Sequence, residues 1–268
     1  MSPNSIEIHP IEKPVDADVT IPGSKSYTNR ALLAAALATG ESHLSGALFS
    51  DDTDYMSGAL RTLGIKVSAD TEAHTFDVVG NGGDIPVNGA ELYIGNAGTA
   101  ARSLTSYVAL GHGRFLIDGD APMRQSRPIA DLLEALNRLG VDARSQNGNG
   151  CLPVVVNADG FPGGKTQLDA SKSSQFLTSI LLTAPYSAEG VELEMVGDYK
   201  TQYIDITMSV MRAFGATVDN ENYRTYRIPG RQQYVGRNYT VEPDASNASY
   251  FFAAAALTGG RVRVSGIS

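Results

Sequence analysis

Residues 21–40, IPGSKSYTNRALLAAALATG, join a strand end, a glycine turn and an apolar helix. Pro22 and Gly23 stop the extended segment, and Ser24 stands where a helix N-cap is expected. The first turn of that helix offers unpaired backbone N–H groups and positive dipole potential to a phosphate or carboxylate. Lys25 and Arg30 add formal charge, and Ser26 adds a hydroxyl. The stretch reads as an anion site. Its alternative reading is an ordinary capped amphipathic helix whose basic residues are solvated.

The chain repeats this pattern. Small-residue apolar helices follow polar caps near residues 24, 95, 171 and 244, spaced 71, 76 and 73 apart. A second family of helices ends in a glycine stop followed by a strand, at Leu63-Gly64, Leu139-Gly140 and Phe214-Gly215, which gives spacings of 76 and 75. Each glycine suits a left-handed C-cap. Two markers therefore give one period, and the unit reads strand, helix, strand, helix, then strands, an α/β (α+β) pattern. Asn81-Gly82-Gly83, Asn147-Gly148-Asn149-Gly150 and Pro162-Gly163-Gly164 are expected to close hairpins. Three units fit residues 20–240. A fourth opens at Asp244 and holds one helix and one strand by Ser268, so a continuation of the repeat is expected outside this chain. A first strand, Ser5 to Ile11, lies outside the three units.

With 268 residues, 42% of them hydrophobic, the chain exceeds the size at which one core usually serves. A formal charge of -8 argues against nucleic acid or an anionic membrane as partner while leaving room for a local basic pocket. Cys151 is the single cysteine, which excludes an internal disulfide and reads as a structural thiol in a reducing cytoplasm. The N-terminus has neither the apolar core of a signal peptide nor the basic character of a transit peptide, and no run reaches membrane-spanning length. Asp51, Asp52 and Asp54 read as a cap and acidic first turn, and the four histidines lack ligand spacing, so no metal is expected. No nucleotide signature occurs.

Candidate chemistry gathers at the helix starts. Lys25, Ser26 and Arg30 form the first group. Asn96-Ala97-Gly98-Thr99 leads into Arg102, and Gly98 lets a ligand approach the backbone. Ser171, Ser173, Ser174 and Gln175 offer neutral donors that suit a phosphorylated polyol. Arg124 and Arg127, in the loop before Pro128, are candidate clamps for a carboxylate or phosphate. Tyr203 and Asp205 open the second helix of the third unit. If the helix starts converge on one face, a ligand with more than one anionic group is the natural partner.

PGSKSYTNRALLAAALA, GNAGTAAR, the MRQSRPI loop, SKSSQFLTSILLTAP, YIDIT and DASNASYFFAAAA, in this order along the chain, closely resemble the 5-enolpyruvylshikimate-3-phosphate (EPSP) synthase family. The resemblance implies an inverse barrel of βαβαββ units, with residues 20–240 as an N-terminal domain. Residues 1–19 would belong with a second domain, and 241–268 would be the crossover and the start of that domain, mostly missing. It implies transfer of the enolpyruvyl group of phosphoenolpyruvate to the 5-hydroxyl of shikimate 3-phosphate, without metal or organic cofactor. Lys25 then resembles the lysine touching both substrates. Ser26, Arg30, Ser173, Ser174, Gln175, Thr201 and Tyr203 match positions facing shikimate 3-phosphate, and Asn96, Gly98, Arg127 and Gln175 match positions facing phosphoenolpyruvate.

Three departures stand out. Ser103 replaces a proline of the family pattern, which implies reduced sensitivity to the inhibitor glyphosate. The loop before Arg127 is one residue longer than the usual spacing, making Arg124 a competitor for the clamp. GDYKTQYIDIT is one residue shorter, so either Lys200 or Thr201 stands at the phosphate. Because the family's acid–base carboxylates lie in the second domain, the chain is expected to be a half-site that turns over negligibly without a complementary C-terminal polypeptide. The alternatives are a transferase acting on UDP-N-acetylglucosamine, whose asparagine after GSK and loop cysteine are not evident here, and a non-catalytic shikimate-phosphate-binding module.

Overall fold

The computed structural model describes residues 9–267. In chain order, β1 (Asp16–Val19) precedes α1 (Lys25–Leu37), β2 (Thr39–Ser45), α2 (Asp51–Thr62), β3 (Lys66–Asp70) and β4 (Thr75–Asn81). Next come β5 (Gly89–Tyr93), α3 (Gly98–Tyr107), β6 (His112–Asp118), the short α4 (Ala121–Gln125), α5 (Ala130–Arg138), β7 (Asp142–Ser145) and β8 (Val154–Asp159). The third set is β9 (Gly164–Asp169), α6 (Gln175–Thr183), β10 (Val191–Val196), α7 (Gln202–Ala213), β11 (Asp219–Glu221) and β12 (Thr225–Ile228). β13 (Asn238–Thr240), α8 (Ala245–Thr258) and β14 (Arg261–Val264) follow.

The predicted period is present in three equivalent four-stranded sheets, ordered β5-β6-β8-β7, β9-β10-β12-β11 and β13-β2-β4-β3. In each, the first two strands pair parallel and the rest antiparallel. Units two and three follow the expected βαβαββ order. Unit one does not, because the strand ahead of α1 leaves for a separate two-stranded sheet, in which β1 pairs parallel with β14. β13 takes the empty place beside β2, with Asn238, Tyr239 and Thr240 opposite His43, Leu44 and Ser45. The three units thus close into a ring.

α1, α3 and α6 fill its centre, with the sheets outside. Every residue of α1 from Thr28 to Leu37 is buried, as are those of α6 from Phe176 to Thr183. A helix apolar on all sides belongs in such a place. Between α3 and α6, the Ser106 and Ser179 hydroxyls meet at 2.5 Å. The amphipathic reading of α1 is therefore wrong: it has no solvated long face, and Arg30 is only 3% exposed.

Other expectations are corrected in detail. Gly64, Gly140 and Gly215 take the left-handed conformation, with φ of 89°, 88° and 98°. Only the Asn147–Gly150 turn joins two strands of one sheet, β7 and β8; the turns at Asn81 and Pro162 carry the chain into the next sheet. The hairpin between β11 and β12 instead turns on Asn222 and Tyr223, whose φ values are 53° and 57°. The expected strand at Ser5–Ile11 lies partly outside the described residues, and His9–Ile11 are not in a strand. Pro10, which lacks an N–H to donate, falls in that run; the strand forms later, at Asp16. Cys151 is buried, as a structural thiol should be. Among the described residues, no helix is long and apolar enough to cross a membrane.

Candidate functional site

The N-termini of α1, α3 and α6 open into one pocket of about 720 Å³. Lys25, Ser26 and Arg30 reach it from α1, Gly98 and Thr99 from α3 with Asn96 just ahead, and Gln175 from α6 with Ser171, Ser173 and Ser174 ahead of it. Gln175 Nε2 donates to Thr99 Oγ1 at 3.1 Å, tying two of the helix starts together. Lys172, Lys200, Tyr203 and Arg127 complete the wall. In a chain of net charge -8, the lining holds Lys25, Arg30, Arg127, Lys172 and Lys200 against one carboxylate, Asp52. Three helix N-termini reinforce that positive potential.

The local reasons differ from simple capping. Ser24 occupies the N-cap of α1, but its side chain makes no cap bond. Its carbonyl instead accepts from the Thr28 N–H and hydroxyl, both at 2.9 Å. α3 and α6 begin later than the spacing predicts, because each approach first makes a turn. The Ala97 N–H donates to Ile94 O at 2.9 Å, and the Ser171 N–H donates to Asp169 Oδ1 at 2.8 Å. These Ser171 hydrogen bonds hold the Asp169 carboxyl below its ordinary range.

Arg30 is the electrostatic centre. Its Nε donates to Thr207 Oγ1 at 2.8 Å, Nη1 to Ser26 O at 2.9 Å, and Nη2 to Thr178 Oγ1 at 3.0 Å and Tyr203 O at 3.3 Å. All these acceptors are neutral. Burial pushes the guanidinium down to about 10, which still leaves it charged at neutral pH. A buried cation without a carboxylate is unfavourable unless a ligand brings the counter-charge. Arg102, beneath Gly98, is also pushed down to about 10 by burial and donates to Gly98 O and Pro128 O.

The competition between Arg124 and Arg127 is resolved by their partners. Arg124 forms a bidentate pair with Asp118, through Nε at 2.8 Å and Nη2 at 2.5 Å, and does not line the pocket. Arg127 lines it and donates to Asn96 O at 2.7 Å and Asn96 Oδ1 at 2.8 Å. Gly98 makes room for it: a Cβ there would lie 2.4 Å from Arg127 Nη2. Ser103 is buried on α3, directly after Arg102.

Asp205, which accepts from the Tyr223 hydroxyl at 2.8 Å, lies outside the pocket lining like Arg124, and so does Thr201. Thr201 sits at the N-cap of α7, where its carbonyl accepts from Ile204 and Asp205, and Lys200 lines the wall instead. Four contributors escaped the sequence reading. Thr178 and Thr207 had a signal, being polar β-branched residues inside apolar helices. Asp52 had only the look of a helix first turn, yet it approaches Lys25 Nζ at 3.5 Å. Lys172 was visible beside the serines, but its pairing with Asp131 at 3.0 Å, which holds the ammonium above its ordinary range, was not.

Helices inside, sheets outside and an anion pocket at the helix starts define an inverse barrel of the enolpyruvyl transferase type. The EPSP synthase (3-phosphoshikimate 1-carboxyvinyltransferase) family model matches residues 10–268, and the chain belongs to that family. A 3-phosphoshikimate 1-carboxyvinyltransferase of Trichormus variabilis is 45% identical over 262 residues, covering 97% of this chain and 61% of the relative. One from Aliivibrio fischeri is 42% identical over 266 residues, covering 98% and 62%. The solved EPSP synthase of Acinetobacter baumannii superposes with a TM-score of 0.85 at 26% identity, covering 96% of this chain and 57% of that one. The chain thus spans about three fifths of the length of the relatives it matches.

Proposed function

We propose that the pocket is one wall of an active site that moves the enolpyruvyl group of phosphoenolpyruvate to the 5-hydroxyl of shikimate 3-phosphate, releasing phosphate. The observation that carries this reading is the convergence of three helix N-termini and five cations on one pocket of about 720 Å³. Both substrates are polyanions, and fixed donors acting outside bulk water bind such charge strongly. Ser26, Arg30, Ser173, Ser174, Gln175 and Tyr203 face shikimate 3-phosphate in this reading. Asn96, Gly98, Arg127 and Gln175 face phosphoenolpyruvate, and Lys25 stands between the two.

The chain acts as a half-site. Asp52 is the carboxylate lining the pocket and is engaged with Lys25, so the acid–base groups come from a complementary C-terminal polypeptide. β1 and the residues from 241 onward belong with that second domain, which their mutual pairing supports. An acidic chain with a single buried cysteine suits a cytoplasmic setting. Calorimetry with shikimate 3-phosphate, followed by a phosphate-release assay with the complement added, tests the reading. Binding with rescue supports a split active site, binding without rescue means a non-catalytic module, and no binding refutes both. Ser103 accounts for a reduced glyphosate sensitivity in this reading; unchanged inhibition of the complemented Ser103→Pro variant would remove that claim.

A further inference from the structure

Arg127 reaches the pocket from a stretch with little structure of its own. α4 ahead of it has five residues and α5 starts only at Ala130, and so short a helix does not support itself. The turn between β7 and β8 holds this stretch from outside the pocket. Asn149 Nδ2 donates to Arg124 O at 2.9 Å, the Leu152 N–H donates to Met123 O at 3.2 Å, and the Ile129 N–H donates to Gly150 O at 2.8 Å. These bonds bracket Arg127 on both sides in sequence. The turn is itself pinned, because Asn149 Oδ1 accepts from the Cys151 N–H at 3.1 Å and the Ser145 hydroxyl donates to Cys151 O at 2.7 Å. It also sits against the start of α5: a Cβ on Gly150, whose φ is 72°, would lie 3.1 Å from Ala130 Cβ. The last hairpin of each unit makes the same reach. The Ala47 N–H donates to His74 O at 2.9 Å on the approach to α2, and the Met195 N–H donates to Arg224 O at 2.8 Å on the approach to α7. In the second unit the reach ends on the residues flanking an arginine of the pocket.

We propose that Asn149 is a positioning residue: by holding the Arg124 carbonyl it sets where Arg127 presents its guanidinium, and so tunes affinity for phosphoenolpyruvate without touching it. The proposal rests on reading Arg127 as a phosphoenolpyruvate contact. A guanidinium meets two oxygens of an anion only in a planar fork, and a backbone shift of about 1 Å is enough to spoil such an alignment.

Asn149 is exposed, so its replacement leaves the core intact. Asn149→Asp keeps the acceptor for the Cys151 N–H and removes the donor to Arg124 O, while Asn149→Ala removes both. In the complemented protein each is expected to raise the KM for phosphoenolpyruvate about fivefold, the loss expected from one hydrogen bond. The KM for shikimate 3-phosphate and the urea midpoint of the 268-residue chain should not move. Amide exchange on that chain should quicken over residues 121–129 while α1, α3 and α6 keep their protection. Equal rises in both KM values would show a merely structural turn and overturn the proposal, as would an unchanged KM for phosphoenolpyruvate or unchanged exchange over 121–129. If the complemented parent shows no use of phosphoenolpyruvate, yet Arg127 reacts faster with phenylglyoxal in Asn149→Ala than in the parent chain, the positioning of Arg127 stands and the phosphoenolpyruvate reading falls. Equal reactivity in that case sinks both.

Discussion

α1 and α8 carry nearly the same kind of sequence, KSYTNRALLAAAL and ASNASYFFAAAALT, yet they live in opposite surroundings. Leu32, Leu33 and Leu37 of α1 are wholly buried, whereas Tyr250 and Leu257 of α8 are 75% and 88% exposed and Ala248 is the buried residue of that helix. Their local signals run the other way. α8 is finished at both ends, by the Asp244 carboxylate accepting from the Ser246 N–H at 2.9 Å and by Gly259 in the left-handed conformation. α1 has neither device. A helix inside a closed ring is held by its neighbours, while one without a ring around it depends on caps and composition.

The largest effect that would break this contrast is in packing. Leu33→Ala should cost about 2–5 kcal/mol of stability, whereas Leu257→Ala should stay within about 0.5 kcal/mol. Equal shifts in urea midpoint would show that the two helices are not differently held. The functional end of the core comes next. Gly98→Ala inserts a methyl 2.4 Å from Arg127 Nη2. It should weaken phosphoenolpyruvate binding by about tenfold or more in the complemented protein, near 1.4 kcal/mol, while changing the unfolding midpoint little. The smallest effect concerns the caps. Asp244→Ala should cost α8 about 1 kcal/mol, seen as faster amide exchange along that helix, and Ser24→Ala should leave α1 protection unchanged because its side chain makes no cap bond.

The period was legible because each unit needs a residue with positive φ where a helix turns into a strand, so Gly64, Gly140 and Gly215 mark it regardless of packing. The closing of the ring was not. It depends on Asn238–Thr240, three residues with no pattern of their own, whose place is defined by the edge of β2. The same division holds at the site. Lys25, Gly98 and Gln175 announce themselves at helix starts. The choice of Arg127 over Arg124 turns on Asp118, and the neutral cradle of Arg30 comes from α6 and α7, so neither is written in the spacing.

The partnership of β13 with β2 also governs when this protein can finish folding. Ser45 and Thr240 touch across 195 residues. A ribosome adding about 5–20 residues per second needs roughly 10–40 s to make that stretch. Throughout that interval the edge of β2 has its antiparallel neighbour but no β13, and its unpaired backbone groups can template other strands. Release from the ribosome before Thr240 would leave that edge open.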